Sequence, residues 1–278
     1  MSLLVASWNI EGRLSNNDVS SRSTPLGIVK SIENLHADIL VLLEAHSQNS
    51  LEDLEVKKQL KDLGYKFYSV AYEDDMASRS DAFYKKLSLM LLSKLPIKKF
   101  EIIRLGNFRN TLTAIVHDDK NGIDLRVIGV HLDDRSEDTR LKQIKDLTKI
   151  VDSSKMPTIV MGDFNSMHGK DLWPSKFLRS KVARLLAKPL PPLLVSKAFG
   201  MARGEGLDFL QANTNLVDAD PKHQPTATPK MRGREWFPSI RLIQIDHIFV
   251  SPDIKVKKFQ IAPDGGADHR AISTNIDL

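Results

Sequence analysis

Two residues apart, Asp163 and Asn165 set a carboxylate and a carboxamide at the end of the apolar run Thr158-Ile159-Val160-Met161, with Gly162 at the junction. The run reads as a buried strand, so Gly-Asp-Phe-Asn-Ser brings polar groups to its end. That is how a core strand delivers polar chemistry to its end. The same residue types also make an ordinary Asx-type turn, and this stretch alone does not separate the two readings.

Other strand ends bear on the choice. Leu3–Trp8 runs into Asn9 and Glu11, Ala37–Leu43 into Glu44, and Leu125–His131 closes on an imidazole. Leu242–Val250 carries Asp246 and His247, and Asp268-His269 precedes the strand-like Ala271–Ile276. Gathered on one edge of two packed sheets, these ends make a cleft of carboxylates, amides and imidazoles. The 278 residues include no cysteine, so disulfides and thiolate sites are excluded and any metal there has oxygen or imidazole ligands. Such a set suits Mg²⁺, which takes one or two carboxylates and leaves room for substrate phosphate. Asp246 is an acid inside an apolar strand and needs a partner, which His269 can supply. By strand alternation His247 faces away from Asp246, and Phe164 points into the core between Asp163 and Asn165.

The elements that must carry these residues can be read from periodicity. Thr24-Pro25 places an N-cap before a first-turn proline, and Ile28, Ile32 and Leu35 continue one helical face to about His36. A second helix opens at Ser50-Leu51-Glu52-Asp53, with Leu54 and Leu60 on its apolar face and Gly64 as its stop. Strands then follow closely at Lys66–Ala71, Leu87–Ser93, Phe100–Leu105, Leu112–His117 and Leu125–His131, a succession that favours antiparallel sheets. Ser136–Asp152 is amphipathic, with Leu141, Ile144, Leu147 and Ile150 or Val151 on one face, and Val256–Ile261 is a further strand. The polar segments Arg13–Ser23 and Glu73–Asp81 read as loops, and Arg109-Asn110 stands where it could touch phosphate. Lys170–Gly206 is a basic apolar insertion divided by Pro189-Leu190-Pro191-Pro192, read either as a lid on the core or as a surface for nucleic acid or lipid.

A formal charge of +5 favours a polyanionic partner, nucleic acid or an anionic lipid surface. No run is long and apolar enough to span a membrane, and the first residues enter a strand pattern without a basic leader. The expectation is one soluble, cytoplasmic domain over 1–278, monomeric and with no obligate protein partner.

The chain resembles the endonuclease/exonuclease/phosphatase superfamily of metal-dependent phosphoesterases. The likeness runs in order through Ser7-Trp8-Asn9-Ile10-Glu11-Gly12, Leu42-Leu43-Glu44, Gly129-Val130-His131-Leu132, Gly162-Asp163-Phe164-Asn165, Ile245-Asp246-His247-Ile248 and Ala267-Asp268-His269. It implies an α+β, four-layer sandwich: two mainly antiparallel sheets packed face to face, with helices outside. It also implies that Glu44 is the principal ligand of Mg²⁺ or Mn²⁺, one or two ions, with Asn9, Glu11 and Asp268 beside it. Asp163 would orient or deprotonate the attacking water, Asn165 and His269 would bind the phosphoryl group, Asp246 would hold His269, and His131 would contact phosphate or protonate the leaving oxygen. Relatives commonly carry Asp at Glu11 and Ser or Thr at Ala267. The implied reaction is in-line attack of water on a phosphate ester, with nucleic acid the favoured substrate and a sphingomyelin-type lipid the alternative. A non-catalytic binding module on the same fold is the reading from another class.

Overall fold

The computed structural model describes residues 2–14, 24–46, 54–71, 87–106, 109–152, 155–168, 177, 180–186, 199–227, 243–263 and 265–278. Most of the loop Arg13–Ser23, the opening Ser50–Asp53, the loop Glu73–Asp81 and most of the 170–206 insertion lie outside the described residues.

Two six-stranded sheets carry the fold. One has the order β11 (Lys255–Ile261), β12 (Ile272–Asp277), β1 (Ser2–Asn9), β2 (Ile39–His46), β4 (Leu87–Ser93), β3 (Lys66–Ala71). The other runs β5 (Ile97–Leu105), β6 (Arg109–Asp118), β7 (Ile123–His131), β8 (Thr158–Asp163), β10 (Asp246–Val250), β9 (Val217–Asp218). Among the described residues each sheet contains a single parallel ladder, β1 with β2 and β7 with β8, and its other pairings are antiparallel. Parallel neighbours end at the same edge, so each ladder presents two C-terminal strand ends side by side.

Strand alternation sorts the side chains into layers. Leu3, Val5, Ile39, Val41 and Leu43 of the first sheet share a core with Leu112, Val127, Ile159, Met161 and Ile248 of the second. The opposite faces carry helices. Ala6, Trp8, Leu40 and Leu42 pack with α1 (Pro25–Leu35) and α2 (Leu54–Asp62). Ile128, Val130, Val160 and Phe249 pack with α3 (Glu137–Asp152), and beyond α4 (Lys181–Leu186) the helix α5 (Glu205–Asn213) joins that layer through Leu207 and Leu210. This is the four-layer sandwich. Among the described residues no helix is long and apolar enough to cross a membrane.

Local details depart from the sequence reading for identifiable reasons. Thr24 caps α1 as expected, its Oγ1 accepting from the Gly27 N–H at 3.1 Å. In α2, Leu54 is 77% exposed and the buried pair is Val56 and Leu60. The buried face of α3 is centred on Arg140, Ile144 and Leu147, with Leu141 only half-buried. A charged side chain occupies that face because Glu137 Oε2 pairs with the Arg140 guanidinium at 2.7 Å, and Glu137 Oε1 accepts from the Gly206 N–H at 2.9 Å. This knot fastens α5 to α3, a helix that the apolar spacing of the chain does not predict. β10 begins at Asp246, the described residue Ile243 makes only an isolated bridge to Ala227, and Leu242, expected to open this strand, lies outside the described residues.

Gly162 fixes the separation of the site-bearing strands. Its φ is +151°, and a Cβ built there would lie 1.8 Å from the Val130 carbonyl oxygen across the parallel ladder. Gly162→Ala is therefore expected to lower unfolding free energy by about 3 kcal/mol through steric overlap, measured by urea denaturation. Gly122 has a positive φ of +66°, but a methyl group there would meet nothing within 4 Å among the described residues. Gly122→Ala is expected to cost only about 1 to 2 kcal/mol.

Candidate active site

The two parallel ladders end facing each other, and the polar residues sit there. In the second sheet His131 is the register partner of Asp163 on one side, and Asp246 is its partner on the other. The three therefore project from one face of adjacent strands, the face whose earlier residues form the core between the sheets. In the first sheet Asn9 lies beside Leu43 and shares its inward face with Val5. Glu44 by simple alternation would point outward with Leu42. A bulge prevents this: Leu42 pairs with Met90 and Ala45 with Ser88, so Leu43 and Glu44 together oppose Leu89. Glu44 takes a left-handed φ of 52°, the local kink that re-aims a side chain at a sheet rim.

Asp163 Oδ2 is the hub of the resulting cluster. It accepts from Asn9 Nδ2 at 3.3 Å and lies 3.7 Å from His131 Nε2 and 3.8 Å from His269 Nε2. His131 Nε2 also stands 4.0 Å from Glu44 Oε1. Asp163 Oδ1 accepts from the Asn165 N–H at 2.8 Å, closing the turn around Phe164, and Asn165 donates one amide hydrogen to the Leu132 carbonyl at 3.1 Å. Asn165 adopts φ 48°, a conformation that asparagine tolerates well. Phe164 turns away and packs edge-on against Phe249 in the helical layer. The turn and the site are thus one structure, since the Asx bond is what sets Asn165 beside Asp163.

His269 is held from three directions. Its Nδ1–H donates to Asp246 Oδ2 at 2.8 Å, its carbonyl accepts from Trp8 Nε1–H at 3.1 Å, and its backbone bridges to Ala227. Gly265 lies so close over the Trp8 ring that a Cβ there would come within 2.4 Å of it. Thr226 Oγ1–H donates to Asp246 Oδ2 at 2.7 Å. This threonine escaped the sequence reading because a Thr in a polar, proline-flanked segment carries no pattern of its own.

The remaining sequence candidates are also placed. Glu11 has its carboxylate engaged by Arg13 at 2.7 Å, and its backbone N–H donates to Asn9 Oδ1 at 3.1 Å, which turns the Asn9 amide nitrogen toward Asp163. Asp268 is half-buried beside His269, and its charge acts on both Glu44 and His269. Arg109 and Asn110 begin β6 at the edge where β7 ends in His131, and Arg109 is buried. His247 faces the opposite side of its strand, toward Asp218 and Phe164.

Burial and neighbouring charges set the electrostatics. Burial, then the charge of Asp268, pushes the Glu44 carboxyl up to about 7. Burial likewise pushes Asp163 up to about 6, against the opposing pull of the His269 cation. Burial disfavours charge on His269, but Asp246 and Asp268 outweigh it and hold the ring protonated well above the usual histidine range.

Comparison with known proteins accords with this geometry. Residues 6–269 match the model of the Endonuclease/Exonuclease/phosphatase family. The chain belongs to that family. No curated protein sequence matches it. Solved structures do share its fold. A family protein from Beutenbergia cavernae is 20% identical, with TM-score 0.70 over 100% of this chain and 72% of that one. ANGEL2, a 2′,3′-cyclic phosphatase, is 18% identical, with TM-score 0.67 over 99% of this chain and 95% of that one. The 3′ phosphatase NExo from Neisseria, bound to product DNA hairpin, is 17% identical, with TM-score 0.63 over 99% of this chain and 100% of that one.

Members of the endonuclease/exonuclease/phosphatase family are phosphoesterase hydrolases and generally depend on divalent metal. The donor set here fits a hard divalent cation. Asp163, Asp246 and His269 bring ligand atoms within 4.8 Å of one another, Asp246 Oδ1 is buried with no hydrogen-bond partner among the described residues, and the charge of Asp268 bears on the buried Glu44 carboxyl beside them. The Asp246–His269 hydrogen bond leaves Glu44, with Asn9 and Asp268, as the better cation side.

The proton affinity of Glu44 gives a signed stability effect. Its folded value of about 7 exceeds its ordinary 4.5, so without metal the folded state binds the proton more tightly and stability falls as pH rises between these values. In chelator, Glu44→Gln is therefore expected to melt above the wild type at about pH 8, with the gap closing toward about pH 4.5. Saturating Mg²⁺ should reverse the order at the higher pH. Thermal melts at both pH values, with and without Mg²⁺, check this.

Proposed function

We propose that this chain hydrolyses phosphate esters of nucleic acid by in-line attack of water, using Mg²⁺ or Mn²⁺, one or two ions. The observation that carries the reading is the arrangement around Asp163 Oδ2, where one partly proton-hungry carboxylate faces two imidazoles and an amide.

Each residue has a task that follows from its surroundings. Asp163, raised to about 6, is ionised at neutral pH yet basic enough to orient the attacking water and take its proton. The His269 imidazolium, fixed by Asp246 and Thr226, presents Nε2–H toward the phosphoryl oxygens on which charge builds. Asn165 holds its second amide hydrogen for the same group after bonding Leu132 with the first. His131, between Asp163 and Glu44, is placed to contact phosphate or to protonate the leaving oxygen. Glu44, Asn9 and Asp268 would hold the cation, and Glu11 can add its carboxylate by exchanging Arg13 for it. When bound, the ion supplies Lewis acidity toward the phosphoryl oxygen and the leaving group.

Nucleic acid is favoured over lipid by the +5 charge and by the activities of structurally similar proteins, a 3′ phosphatase bound to product DNA and a 2′,3′-cyclic phosphatase solved with adenosine-2′,3′-vanadate. The test is a panel of nicked, abasic and 3′-phosphorylated DNA, 2′,3′-cyclic-ended RNA and sphingomyelin vesicles, with Mg²⁺ or Mn²⁺. Hydrolysis of a nucleic-acid member, abolished by EDTA, is expected. Asp163→Ala, Asn165→Ala and His269→Ala are each expected to lose at least about 100-fold in rate while remaining folded. EDTA-resistant hydrolysis overturns the metal dependence, exclusive cleavage of sphingomyelin overturns the substrate, and total inactivity favours a binding module.

A further inference from the structure

Behind the catalytic turn, on the face of the second sheet away from Asp163, lies another cluster of metal-ligating side chains. His168 comes from the end of the turn, Asp218 from β9 and His223 from the loop after it. Their ligand atoms all lie within 4.8 Å of one another. The two imidazole rings are 4.1 Å apart at their centroids and tilted by 39°. His168 Nε2 and His223 Nδ1 are both buried with no hydrogen-bond partner among the described residues, and His223 Nδ1 is 3.9 Å from Asp218 Oδ2.

Two such ring nitrogens beside a buried carboxylate are costly to bury if nothing fills the space between them. The supports are arranged as around a metal ligand. Asp218 Oδ1 accepts from the Asp220 N–H at 2.9 Å, which leaves Oδ2 directed at the histidines. The fully buried His247 lies behind: its Nδ1 is 3.0 Å from Asp218 Oδ2 and its Nε2 is 3.1 Å from the Ser166 carbonyl. That is the outer hydrogen-bond partner that orients a ligating carboxylate. Asp220 accepts from the backbone N–H groups of Lys222 and Gln224, closing the loop that presents His223.

We propose that His168, Asp218 and His223 form a second metal site that takes a transition-metal ion of the Zn²⁺ class and clamps the catalytic turn to the 217–226 segment. Tetrahedral Zn²⁺ places its ligand atoms about 3.4 Å apart, so the cluster, whose ligand atoms lie within 4.8 Å of one another, reaches that geometry by a modest closing. Two imidazoles and one carboxylate leave a position for water, and they select against Mg²⁺, which prefers all-oxygen ligands. The clamp would join Asn165, three residues before His168, to Thr226, three residues after His223, and so brace both sides of the phosphoester site. The site stands independently of the proposed reaction, since none of its ligands takes part in it.

The experiment uses the full chain, stripped of metal by chelator and returned to excess Mg²⁺ so that the phosphoester cluster is occupied. It is then titrated with Co²⁺ and Zn²⁺. The expected result is one tight equivalent, a visible Co²⁺ band of low-coordinate type that Zn²⁺ bleaches, and a rise in melting temperature. His223→Ala, on a loop, and His168→Gln should each weaken binding more than about 100-fold, whereas Glu44→Gln should retain it. Circular dichroism reports folding, and if His168→Gln is unfolded then His223→Ala alone decides. No band in the wild type, an unchanged band in His223→Ala, or loss of the band in Glu44→Gln overturns the proposal.

Discussion

A carboxylate at the end of a central strand, buried between two sheets, is stable only if donors and positive charge are brought to it, and that requirement organises this protein. Asp163 is 2% exposed, yet around Oδ2 stand Asn9 from the first sheet, His131 from the neighbouring strand of its own sheet and His269 from the turn before β12. Burial, acting against the pull of His269 and the donors, raises Asp163 to about 6 and makes it a usable base near neutral pH. Stability is given up locally for chemistry, and the core between the sheets makes up the difference.

The scaffold supplies the geometry through a few backbone devices. Parallel pairing brings the ends of β1 and β2, and of β7 and β8, to one edge. The bulge at Leu43 and Glu44 turns the glutamate inward, and the missing Cβ at Gly162 lets β8 approach β7 closely. Trp8 belongs to the outer core, but its indole N–H reaches the carbonyl of His269, so packing beneath the first sheet positions a residue that serves the second. The Arg140–Glu137 pair does similar work on the far side, Arg140 donating to the Asp133 carbonyl at 2.7 Å next to the Leu132 carbonyl that Asn165 uses.

Much of this was legible in the chain because strand ends are legible. Apolar runs that stop at Asn9, Glu44, His131 and Asp163 announce both a strand and its polar terminus, and alternation correctly turned Phe164 and His247 away from Asp163. What escaped has one physical character: it depends on contacts across long sequence separation. Arg140 reads as a solvated helix position until Glu137 and α5 cover it. Thr226 is an unremarked polar residue until Asp246 arrives from another strand. Glu44 reads as a plain strand-end acid, and only the register of β4 reveals the bulge that aims it. The His168, Asp218 and His223 cluster is equally invisible, because neither histidine lies on a periodic element.

Everything proposed for the site depends on Asp246 and Asp268 together keeping His269 a cation poised over the substrate position. Nitrogen-15 NMR of the histidine rings in the metal-free protein near neutral pH tests this most directly. Both ring nitrogens of His269 are expected to carry protons in the wild type, and Asp246→Asn is expected to return the ring to the neutral form at the same pH. A neutral His269 in the wild type, or a ring unchanged by Asp246→Asn, would contradict it.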